Sequence, residues 1–139
     1  MTMTLLGFSV LVLAKILFAA FNGILFTQSG LDKVFHYQGN LDYFKDHFKK
    51  SPLASSVGAL MPTITLLETS AGLVSLVGVV LLLIGSNLAN VIAASGMCLG
   101  GVSLVCLFFG QRLAQDYAGA ASLVPYFLMA AGGLVLYSL

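Results

Sequence analysis

Charge is the scarcest commodity in this sequence. Only 8% of its 139 residues are Asp, Glu, Lys or Arg and 59% are hydrophobic, whereas soluble domains carry about a quarter charged residues. A soluble fold could not hide so much apolar surface. The net charge of +1 offers no field for a polyanion, so a nucleic-acid partner is excluded. The two cysteines, Cys98 and Cys106, lie eight residues apart, which fits neither a CxxC redox pair nor a zinc spacing. They read as small, buried apolar residues. His36 and His47 are the only histidines, too few for a histidine-ligated metal centre of the usual kind. There is no HExxH, no P-loop and no GxGxxG after a strand. The expectation is therefore no metal, no intrinsic cofactor and no catalytic residue, with enzymatic activity left without a signal.

What the sequence does have is long apolar runs. A helix needs about 20 apolar residues to cross a hydrocarbon core of about 30 Å. Four segments qualify, at about residues 5–27, 57–84, 88–110 and 118–139. The N-terminus lacks a basic region and an AxA-like cleavage site, so the first run reads as a retained membrane helix and not a signal peptide. Pro62 lies near the start of the second run, and Pro125 is a kink position in the fourth. The links between spans two and three (Gly85 to Asn87) and three and four (Gln111 to Asp116) are short, which makes consecutive helices neighbours. An all-α membrane protein, an antiparallel four-transmembrane-helix bundle of one domain over 1–139, follows.

The exception is the link at 28–56, which holds most of the charge. Within it Asn40 is placed to cap a short helix over 40–50, with Leu41, Phe44 and Phe48 on one face. Two readings stand: an amphipathic helix lying at the membrane interface, or a connector that packs Phe44 and Phe48 on the end of the bundle. Lys33, Lys45, Lys49 and Lys50 fall in this loop and Arg112 in the link at 111–117. By the positive-inside rule both loops are cytoplasmic and both termini lie on the opposite side, as for a protein of the bacterial cytoplasmic membrane.

The polar residues inside the spans carry most of the information, because a charge there costs a few kcal/mol on insertion scales. In the second span Thr65, Glu68, Gly72 and Ser75 share one face at three- and four-residue steps. In the first, Lys15, Asn22, Ser29 and His36 recur every seven residues, with Asp32 and Lys33 near the same side. The two polar faces should meet. With the hydrocarbon boundary near residue 62, Glu68 lies about 9 Å deep at about 1.5 Å per residue, with Asn22 as its nearest counterpart. Lys33 ranks first as its ion-pair partner, Arg112 second and Lys15 third. Lys15 otherwise reads as a snorkelling residue, and His47 as solvated. Glu68, Lys33, Asp32, His36, Arg112 and Asp116 then form either a polar pocket for a head group or proton, or an ion pair that fixes helix register. Gly96 and Gly100 stand at GxxxG spacing, with Ala19 and Gly23 in the first span. They serve packing within the bundle or association into a homo-oligomer.

The string Ile24-Leu-Phe-Thr-Gln-Ser-Gly-Leu-Asp-Lys33 resembles the SGLxK-type signature of DoxX-like membrane proteins. Lys50-Ser-Pro-Leu53, Leu67-Glu68 with Ala71-Gly72-Leu73, and Asp116-Tyr-Ala-Gly-Ala120 follow in the family's order, so the resemblance covers nearly the whole chain. It implies four transmembrane helices and marks Gly30, Lys33 and Glu68. It also implies association with membrane redox assemblies, the family being named for a small subunit of a terminal quinol oxidase. The chain lacks the paired cysteines that thiol oxidation would need. Two functions are expected from this: an accessory or assembly subunit docking on other integral membrane subunits of a respiratory or redox complex, or a binder, carrier or minimal enzyme for a quinone, lipid or other polar-headed amphiphile using Lys33 and Glu68.

Overall fold

The computed structural model describes residues 2–139. The chain enters not as helix but as a hairpin, β1 (Thr4–Leu5) against β2 (Phe8–Ser9), with Thr4 opposite Ser9. Leu6 (φ 54°) and Gly7 (φ 82°) make its turn, the run of positive φ that two-residue hairpins use. The first long helix, α1 (Val10–Phe35), therefore begins five residues later than the apolar run suggests. Ser9 fixes that start by accepting a hydrogen bond from the Val12 N–H at 3.2 Å.

A single non-helical residue, His36, separates α1 from α2 (Tyr37–His47). Because the break falls there, Asn40 lies within α2 and does not cap it. Its amide instead donates to the His36 carbonyl at 3.0 Å and to the Asp32 carboxylate at 3.3 Å, pinning the α1–α2 corner. Three further elements follow: α3 (Val57–Leu83), α4 (Ala89–Leu113) and α5 (Tyr117–Ser122). The last, α6 (Val124–Tyr137), takes Pro125 in its first turn, so the fourth span is broken at Leu123 as a proline there demands.

Four helical stretches are long and apolar enough to cross a membrane: α1, α3, α4 and the α5–α6 unit from Tyr117 to Tyr137. The chain is an integral membrane protein of the all-α bundle class. Its outward faces carry Leu17, Ile24, Leu66, Val91, Leu128 and Val135, each about two-thirds exposed, a surface suited to hydrocarbon and not to water.

Helix α1 packs chiefly on α3, α3 on α4, and α4 on α6. The buried centre is built of small residues, with Ala19, Ala71, Ala93 and Ala130 wholly enclosed around Met97 and Phe26. The inner arc of α4 is taken by Ala93, Gly96, Met97, Gly100, Ser103 and Leu104. This arrangement corrects the reading of the cysteines: Cys98 and Cys106 are free and exposed on the outer arc. The GxxxG pair is used inside the molecule, Gly96 lying against Ser75 and Gly100 against Phe26 and Asn22.

Candidate functional site

Glu68 sits at the seam between α1 and α3, and its polar surroundings come from two residues one turn apart on α1. Ser29 and Lys33 are four apart and share a face. The Lys33 ammonium lies 2.7 Å from Glu68 Oε2 and donates to the Ser29 hydroxyl at 3.0 Å and the Ser29 carbonyl at 3.4 Å. The Ser29 hydroxyl donates in turn to Glu68 Oε1 at 3.1 Å. The ammonium thus has three oxygen neighbours, and Glu68 Oε1 accepts from Ser29, while Oε2 meets the ammonium as an ion pair without completing a hydrogen bond. Glu68 is only 2% exposed and Lys33 8%.

The close approach that makes this possible is a reciprocal fit. Thr27 and Gly30 on α1 face Gly72 and Thr69 on α3, so that each threonine covers the other helix's glycine. A methyl group on Gly30 would lie 2.8 Å from the Thr69 Cα, and one on Gly72 2.7 Å from the Thr27 Cα. Both approaches are closer than van der Waals contact permits. The hydroxyls of Thr27 and Thr69 are buried in this seam without a hydrogen-bond partner.

The remaining polar residues are distributed over separate places. Asn22 is not the counterpart of Glu68: its amide donates to the Ser75 hydroxyl at 2.7 Å and the Gly96 carbonyl at 3.1 Å. It joins α1, α3 and α4 one turn or more further into the bundle. Asp32 and His36 pair with each other at 3.3 Å on the surface. Arg112 does not reach Glu68; its guanidinium stacks 4.5 Å from the centre of the Tyr117 ring. Asp116 caps α5 by accepting from the Gly119 N–H at 2.9 Å. The six residues considered as one pocket therefore separate into the Lys33–Glu68 pair, the Asp32–His36 pair and the Arg112–Asp116 corner.

Two residues have more structure around them than the sequence suggests. His47 is not simply solvated. Its Nε2 lies 2.7 Å from Gln111 Oε1 and 3.7 Å from the Asp116 carboxylate, and its ring stacks on Tyr43. That fastens the end of α2 to the α4–α5 corner. Lys15 does not snorkel along lipid either: the residue is 4% exposed and its ammonium donates to Asn90 Oδ1 at 3.1 Å. Ser29 was within reach of sequence reasoning through the seven-residue series. Ser75 belongs to the Thr65–Ser75 stripe of α3, whereas Gln111 and Asn90 carry no signal, since an isolated amide gives none until its neighbour is known.

Beside the seam lies a cavity of about 220 Å³ between α2, α3 and α4. Phe44 and Phe48 close one side of it, Ile64 and Leu67 another, and Cys106 and Phe109 a third. Neither Lys33 nor Glu68 lines it. No group of three metal-ligating side chains occurs among the described residues. No family model, curated protein or solved structure matches the chain.

Proposed function

We propose that the chain is a small integral membrane accessory or assembly subunit that docks on a larger membrane complex, of the respiratory or another redox kind. The resemblance of Ser29-Gly-Leu-Asp-Lys33 and its companion motifs to DoxX-like proteins supplies the class of complex. The observation that carries the reading is the closure of the Lys33–Glu68 pair. The one buried carboxylate among the described residues is held by the neighbouring helix, Oε1 by the Ser29 hydroxyl and Oε2 by the charge of Lys33, an arrangement suited to fixing register and not to turnover.

In this reading the bundle is antiparallel. The contacts Gly23–Leu76, Gly30–Thr69 and Gly78–Ala93 support it, because positions rise along one helix as they fall along the next. Helix α2 lies at the membrane interface with Phe44 and Phe48 turned to the bundle, and loops 28–56 and 111–117 face the cytoplasm of a bacterium with both termini outside. Purification of a tagged chain from native membranes in mild detergent tests the proposal. Stoichiometric integral membrane subunits should accompany it; migration as a lone small particle, or as a homo-oligomer alone, overturns it. The competing role, a carrier or minimal enzyme for a quinone at Lys33 and Glu68, requires the pair to open. It predicts that Glu68→Gln abolishes function even where the subunit still assembles.

A further inference from the structure

The cavity beside the seam is a different kind of place from the ion pair. We infer that the groove walled by Phe48, Ile64, Leu67, Cys106, Phe109 and Gly110 holds one acyl chain of an anionic phospholipid, whose phosphate lies against Lys45 and Lys50. The inference is independent of whether the chain docks on a larger complex.

Three observations lead to it. The volume, about 220 Å³, is more than ten times the roughly 15 Å³ that one water needs, yet apolar walls give water no partner. The groove is walled by two membrane-crossing helices, and Leu60, Thr63 and Phe109 on its edge are exposed, so hydrocarbon has direct lateral entry. The wall formed by α2 is also held in place: His47 fastens it to Gln111, and the Phe48 ring packs toward Gly110. The opening is thus part of the fold.

The choice of lipid follows from charge. At the end of α2, Lys49 is paired with Asp46 at 2.8 Å, and Asp42 accepts from Gln38 at 2.9 Å. Lys45 directly follows Phe44 and Lys50 stands two residues after Phe48, the two rings of the groove's aromatic wall; both lysines are exposed and have no ion pair among the described residues. Two unpaired ammonium groups beside an apolar slot suit a phosphodiester carrying a net negative charge.

The chain contains no tryptophan, so Phe109→Trp places a single fluorophore in the groove. The full-length protein is reconstituted in phosphatidylcholine vesicles containing a small fraction of brominated phosphatidylglycerol or brominated phosphatidylcholine. Quenching by the glycerol lipid should reach half its maximum at roughly ten-fold lower mole fraction, since each lysine near the surface contributes up to about five-fold. Leu128→Trp, on the outer face of α6, should show no preference. The preference should vanish in Lys45→Gln/Lys50→Gln, a change confined to exposed side chains. Equal quenching at both positions would make the groove ordinary bilayer contact and overturn the inference. So would a preference that survives loss of the lysines, or quenching relieved by a short-chain quinone whatever the head group. Should Phe109→Trp fail to fold, Phe48→Trp reports on the same groove.

Discussion

Two lysines on one helix make an instructive pair. Lys15 and Lys33 both belong to α1 and both are buried, at 4% and 8% exposure, yet their ammonium groups are satisfied differently. Lys33 has a carboxylate, a hydroxyl and a carbonyl. It also stands in the last turn of α1, where the free carbonyl ends favour a cation. Lys15 has one amide oxygen, from Asn90, stands in the second turn, and gains nothing from the helix terminus. The fully satisfied lysine lies where two helices touch through Gly30 and Gly72; the sparsely satisfied one lies where the exposed start of α4 covers it. Burial alone does not say which charge the fold depends on. The number of partners does.

The largest effect should come from breaking the better-satisfied member. Removing Glu68 leaves Lys33 buried without its counter-charge, a situation that costs about 3–5 kcal/mol. Glu68→Ala should lower the unfolding midpoint in a denaturing-detergent titration by an amount of that order. Replacing both partners, as Lys33→Met/Glu68→Leu, should recover much of the loss because no lone charge remains. If the double replacement were as damaging as the single one, the pair would matter for something other than charge balance.

Next comes the seam that brings the pair together. Gly30→Val or Gly72→Val places carbon against the Thr69 or Thr27 backbone, and overpacking of this kind costs about 1–3 kcal/mol. The same substitution at Gly39 or Gly58, where an added Cβ meets nothing within 4 Å, should move the midpoint far less. Equal losses at Gly30 and Gly39 would mean that helix propensity and not helix contact is being measured.

Lys15 offers the converse test. Its replacement by methionine removes a charge that has no ionic partner and keeps the chain's length and apolar stem. Lys15→Met should therefore be neutral or stabilising by about 1 kcal/mol in the same titration, given that lysine in a membrane helix is itself unfavourable. A loss comparable to that of Glu68→Ala would show that the Asn90 contact supports the fold as strongly as the ion pair does.

The sequence makes part of this contrast legible. Seven-residue recurrence identifies Lys15, Asn22 and Ser29 as one face of α1, and the Thr65–Ser75 stripe identifies the face of α3 that carries Glu68. The side chains of Asn22 and Glu68 do not meet because pairing depends on the register of crossing helices. A shift of two turns, about 10 Å, exchanges Asn22 for Ser29 as neighbour. The same limit explains Arg112. A long side chain can extend toward Glu68, but the guanidinium lies instead on the Tyr117 ring five residues on. The late start of α1 had a local cause, the Leu6-Gly7 turn and the Ser9 cap, which an apolar run conceals because hydrophobicity alone does not separate strand from helix.

The smallest effect belongs to an ion pair of the same chemistry placed in water. Asp46, in the last turn of α2, and Lys49, two residues beyond its end, lie 2.8 Å apart, but their side chains are 75% and 60% exposed. The hydrogen bond from Lys49 and then its charge hold the Asp46 carboxyl below its ordinary value of 3.8. A carboxyl whose folded pKa is lowered contributes stability that is present above its unfolded pKa and is lost as pH falls through the folded value, here from about pH 4 downward. Exposure and salt keep that contribution small. Lys49→Gln should leave the unfolding midpoint at pH 7 almost unmoved while raising the Asp46 titration midpoint, followed by carboxyl-carbon NMR, back toward 3.8. His47 also lowers the Asp46 value, so the return should be incomplete. An Asp46 midpoint indifferent to loss of Lys49 would mean that the pair does not persist in solution. The contrast between buried and exposed pairs would then rest on Glu68 alone.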